Sequence, residues 1–96
     1  MNGELRVLIA DDDSGMRMIL RRLIEKAEGF TLAGEAVDGK QAIELAETLR
    51  PDVVFLDVEM PRLGGFGAAE RIRAVDPDVV LVFVTNMAQY AIKGYE

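Results

Sequence analysis

Three short stretches of this chain, 5–10, 52–57 and 79–84, are apolar almost throughout, and each stops at a side-chain oxygen: Asp11, Asp57 and Thr85. A strand with one wet face alternates polar and apolar residues, so an unbroken apolar run belongs to a strand covered on both faces, as in a parallel sheet between helices. Leu5–Ala10 is interrupted only by Arg6, and all of 79–84 except Leu81 is β-branched or aromatic. Between the runs the period changes. Met16, Ile19, Leu20, Leu23 and Ala27 recur at helical spacing, with Arg17, Arg21 and Arg22 off that stripe and Gly29 as a stop. Phe30–Ala36 reads as a further strand. Asp38 is an N-cap with Gln41 at the third helical position, followed by Ala42, Leu45, Ala46 and Leu49 facing inward until Pro51 ends the helix. A loop over 60–65 leads to a third helix with Phe66, Ala69 and Ile72 inward, running to Ala74. After the last apolar run, Asn86 to Gln89 resembles another capping box, and Ala88, Ala91 and Ile92 begin a fourth helix. Strands alternating with helices predict an α/β domain, an open parallel sheet with helices on both faces, filling residues 1–96 as one unit.

Ligands in such sheets bind beyond the carboxyl ends of the strands, where the winding reverses. Asp11, Asp12, Asp13, Asp57 and the hydroxyl of Thr85 all fall there. Composition narrows the chemistry further. With no cysteine and no histidine, thiolate and imidazole chemistry are excluded, and carboxylates must carry any reaction. Eleven Lys and Arg against 17 Asp and Glu leave a net charge of −6, which opposes nucleic acid or an anionic membrane and favours cations or basic surfaces. Several carboxylates in one crevice repel and drift toward protonation unless a cation sits among them. Mg²⁺, with about six oxygen ligands including several waters, is suited by two carboxylates and a backbone carbonyl. One carboxylate is then able to attack a phosphoryl group, with a hydroxyl such as that of Thr85 donating to a phosphoryl oxygen. The apolar runs are far short of the ~20 residues of a membrane helix and the N-terminus has no basic signal region, so the expectation is a cytoplasmic protein.

Leu8-Ile9-Ala10-Asp11-Asp12, then Phe55-Leu56-Asp57-Val58-Glu59-Met60-Pro61 with Gly65 eight residues after the Asp, then Val82-Phe83-Val84-Thr85, resemble the receiver domain of bacterial two-component response regulators. The likeness runs over essentially the whole chain. It implies a flavodoxin-like doubly wound sheet of strand order 2-1-3-4, and a domain that accepts a phosphoryl group from a histidine kinase rather than an enzyme. It also implies roles: Asp57 as phosphoacceptor; Asp11 and Asp12 as Mg²⁺ site acids, Asp12 the direct ligand; the carbonyl of Glu59 as a metal ligand; Thr85 as the hydroxyl that moves to the phosphoryl group. Residues 83–96 further resemble receivers joined to LytTR-type DNA-binding domains, implying a transcriptional output beyond Glu96.

The chain departs from that pattern in three ways. The family adds a fifth strand bearing a lysine and a fifth helix, and the sequence stops before either; Lys93, inside the fourth helix, does not match that lysine. The expectation is therefore the N-terminal part of a longer regulator, self-associating through an exposed edge strand 79–84. Gly64 stands where the family has Asp or Asn, removing a cap from the third helix, and Asn86 replaces a small residue beside the phosphoryl site. Two rival functions share part of the pattern. A phosphatase of the haloacid dehalogenase type uses a strand-end Asp and another two positions on, as Asp11 and Asp13 stand here, but also needs a basic residue and a distal acidic pair. A receiver-like fragment that only docks or dimerises would account for the missing lysine. By itself the triple Asp is a solvated turn that caps a helix, and Arg17, Arg21, Arg22 and Lys26 form a solvated face. Met16 is expected in the core, with Met18, Met60 and Met87 as loop or surface residues.

Overall fold

β1 (Leu5–Ala10) is the strand around which everything else is arranged in the computed structural model, which describes residues 3–84. It pairs in parallel with β2 (Phe30–Ala36) on one side and β3 (Val53–Asp57) on the other, and β4 (Val80–Val84) adds to β3. The sheet order is therefore β2-β1-β3-β4, the flavodoxin-like order expected. Each crossover carries a helix: α1 (Ser14–Lys26), α2 (Gly39–Leu49) and α3 (Gly65–Val75). The predicted fourth helix, Thr85, Asn86 and Lys93 lie outside the described residues.

Alternation along β1 and β3 sends side chains to two cores. Leu8, Ala10, Val54 and Leu56 meet Ala42 and Ala46 of α2 and Ala68, Ala69 and Ile72 of α3 on one face. Val7, Ile9 and Val53 meet Ile24 of α1 on the other, where Leu32, Phe55 and Val82 are partly buried. Small residues on α2 and α3 let both helices lie close to the sheet, and at Gly39 a Cβ would stand 2.0 Å from the Leu63 carbonyl oxygen. The α2 N-terminus is capped as expected: the Gln41 amide donates to Asp38 Oδ1 at 2.8 Å, and Gln41 Oε1 accepts from the Val37 amide at 2.8 Å. Gly64 caps α3 with no side-chain hydrogen bond.

Several expectations need correction. In α1 the buried residue is Ile24, whereas Ile19 and Leu23 are 55% and 60% exposed. The helix is rotated from the predicted stripe: Ile24 and Leu20 pack against Val7, Ile9 and Val53 of the sheet, and on the same side Arg17 and Arg21, expected in solvent, reach Glu35. Phe66 does not face inward either; it is exposed, with its ring 4.7 Å from that of Phe83. Met60, expected as a loop or surface residue, lies in the loop after β3 but is buried in the core under α2 and α3, and Met16, expected in the core, is only half-buried. β4 has the composition of a covered strand, yet none of its residues is buried. Among the described residues it pairs on one side only.

Candidate metal centre

Because β1 and β3 are neighbours with Ala10 opposite Leu56, the residues that follow those positions emerge side by side at the carboxyl edge of the sheet. Asp11 leaves β1 buried at 4% exposure, its amide donating to the Ala36 carbonyl at 3.1 Å. Its Oδ1 accepts the Asp13 amide at 2.9 Å. Asp13 itself faces α1, capping the helix by accepting the Gly15 amide at 2.9 Å. Asp12, between them, is exposed, and Asp57 at the end of β3 is half-buried. Asp11, Asp12 and Asp57 each bring a carboxylate oxygen to within 4.8 Å of the others. The turn after β3 is equally constrained, since the Val58 amide donates to Val84 O at 3.2 Å and the Gly65 amide to Val58 O at 2.8 Å. At Gly65 a Cβ would lie 2.2 Å from the Asp57 carbonyl oxygen, so only glycine allows α3 to start so close to the site.

The electrostatics follow from this crowding. Burial, then the Asp11 charge, raise the Asp57 carboxyl to about 6; Asp12 adds to the rise, while the Glu59 and Val58 amides oppose it. Asp11 is also raised, chiefly by burial and secondarily by Asp12 and Asp13, against its bond from the Asp13 amide and the nearby Arg17. A hard divalent cation among the three carboxylates would relieve both penalties, and an all-oxygen donor set at an open edge suits Mg²⁺.

Asp11, Asp12 and Asp57 thus come together as the sequence predicts. Glu59 is exposed, leaving its main chain as the part near the site. Thr85 lies outside the described residues; Val84, its neighbour in the chain, sits opposite Asp57 in the β3–β4 ladder. Asp13 caps α1 and is not among the three carboxylates that converge, so the cluster is Asp11, Asp12 and Asp57 rather than the Asp11–Asp13 pair of a dehalogenase-type phosphatase. Sequence reasoning missed Arg17, whose Nη1 donates to the Asp11 carbonyl at 2.6 Å. The signal available was its i,i+4 relation to Arg21 on one side of α1.

A parallel sheet of this order with an acidic crevice over β1 and β3 defines a receiver-type phosphoacceptor fold. The chain belongs to the response regulator receiver domain family, whose model matches residues 7–96. It is 42% identical over 86 residues to the chemotaxis protein CheY of Thermotoga maritima, covering 90% of this chain and 71% of that protein. It is 44% identical over 82 residues to a protein-glutamate methylesterase/protein-glutamine glutaminase of Geobacter sulfurreducens, covering 85% of this chain but only 23% of that longer protein. The response regulator domain of Thermotoga maritima CheB superposes with a TM-score of 0.82 at 33% identity, over 94% of this chain and 72% of that one.

Proposed function

We propose that Asp57 is the phosphoacceptor of this receiver domain and that Asp11 and Asp12 serve a Mg²⁺ site beside it. The observation that carries the reading is the convergence of the three carboxylates at the joint edge of β1 and β3. Asp12, Asp57 and the Glu59 carbonyl would hold the ion directly and Asp11 through water, supplying positive charge against the phosphoryl oxygens. An Asp57 oxygen attacks the phosphorus of a phosphohistidine on a partner kinase. The new O–P bond gives an acyl phosphate, and the breaking N–P bond returns its electron pair to the imidazole. The Asp57 carboxyl ionises near 6, so at neutral pH most of it is in the nucleophilic form. Thr85 would then donate to a phosphoryl oxygen, the step that couples phosphorylation to an output. The domain acts as a switch rather than on a separate substrate, with a transcriptional output supported by the LytTR-type likeness of residues 83–96. The kinase is its principal partner, and the edge of β4, which has no strand partner among the described residues, is a second contact, suited to another copy of the chain.

Acetyl phosphate or beryllofluoride tests the assignment. Modification of the native chain should require Mg²⁺ and disappear in Asp57→Asn; equal modification of that variant rules Asp57 out. A purely docking fragment would take up neither reagent.

A further inference from the structure

Next to the acidic crevice lies an ion cluster that phosphoryl transfer does not use. Arg17 and Arg21, one turn apart on α1, share Glu35 of β2: Arg17 Nε is 3.4 Å from one carboxylate oxygen and Arg21 Nη1 2.7 Å from the other. The Arg17 and Glu35 side chains are only 18% and 24% exposed. Arg17 also donates to the main-chain carbonyl of Asp11, the buried member of the crevice. A guanidinium tethered this close competes for carboxylates at an effective concentration that a dissolved ion does not match. Released from Glu35, this guanidinium would be a cation already held at the chain of a crevice acid. What opposes that release is the position of Glu35. It sits opposite Ile9 on β2, and β2 flanks β1 on the side away from β3 and Asp57.

We propose that Glu35 is a positioning residue of the metal site: by clamping Arg17 on the β2 side of β1, it keeps that guanidinium out of the crevice and leaves the cation position to Mg²⁺. Arg21 holds the second oxygen of Glu35, so the clamp cannot rotate freely toward Arg17 alone. The inference rests on the crevice being a divalent-cation site.

The test is a double-mutant cycle on the full chain, read as Mg²⁺ affinity by titration calorimetry with thermal unfolding as the control for folding. Glu35→Gln should weaken Mg²⁺ binding by on the order of tenfold, the scale of one nearby unit charge. Arg17→Gln should bind at least as tightly as wild type, and the double variant should return to the level of Arg17→Gln. Unchanged affinity in Glu35→Gln overturns the proposal, as does an equal loss with and without Arg17, which would mean that Glu35 acts through its own charge. A second readout needs no metal. The Arg17 Nε–H resonance should ignore Asp57→Asn in the wild-type background and respond to it in the Glu35→Gln background. A response in neither, or an equal response in both, also overturns the clamp. Failure of wild type to bind Mg²⁺ would overturn the metal reading, while the resonance still judges where the guanidinium sits.

Discussion

Asp57, the proposed nucleophile, shares its crevice with Asp11 and Asp12, and the crowding has a measurable cost. Its carboxyl ionises near 6 in the folded domain against 3.8 ordinarily, with burial the first cause. The folded state therefore binds this proton more tightly than the unfolded chain does. Stability from that source is full below pH 4 and is lost as pH rises through 6. So large a rise sets a ceiling of about 3 kcal/mol, which solvent screening of a half-exposed group reduces to about 1–2 kcal/mol. Metal-free Asp57→Asn should accordingly be more stable than wild type at pH 7, and the gap in melting temperature should close on titration to pH 4. A gap that is constant with pH would show that the charge is not the cause. Gly65 is the other residue under constraint. Gly65→Ala pushes a methyl against the Asp57 carbonyl and should cost about 1–3 kcal/mol in urea unfolding. Because the atom it strikes belongs to Asp57, acetyl phosphate labelling should also fall; a stable, fully labelled variant would refute the close approach.

At the level of elements, strands are more legible than helix faces. β1 ends where its apolar run does, β2 spans the stretch read as a strand, and Asp38 with Gln41 marks the start of α2 from local chemistry alone. The three acids of the site are readable for the same reason, since each is fixed by the end of a strand. α1 is not readable in phase. It carries apolar residues on two adjoining stripes, Leu20 with Ile24 and Ile19 with Leu23, and periodicity does not choose between them. The choice is made by other elements: Leu20 and Ile24 fit against Val7, Ile9 and Val53 of the sheet, and Arg17 and Arg21 on that side meet Glu35 of β2. Phe66 misleads similarly, because its ring meets Phe83 across the outer part of the sheet instead of entering the core. The observed phase predicts that Ile24→Ala costs about 2–4 kcal/mol, a cavity-forming loss. Leu23→Ala should cost no more than about 0.5 kcal/mol, as exposed substitutions do. Urea unfolding of the two variants decides the point, and a reversed order would restore the stripe read from spacing.

For the molecule as a whole, the sheet is asymmetric in its protection. β2 carries Glu35 and lies beside α1 and α2, but β4 has one side without a strand partner among the described residues, and Val80 and Phe83 are exposed. No proline or charge falls within it. Light scattering during size exclusion should therefore give a mass that climbs above 10.6 kDa with concentration, and Val80→Lys should hold it down. A mass constant at the monomer value would dismiss the contact. The central place of β1 has a different consequence, in time. Its first partner, β2, begins at Phe30, but its second arrives only when Val53 comes to lie beside Val7, the longer chain closure. A chain emerging from the ribosome with β1 and β2 joined owns two of the three carboxylates and nothing to complete them. On the proposed reading, the capacity to accept a phosphoryl group is acquired late in assembly, since a half-made domain lacks the third carboxylate.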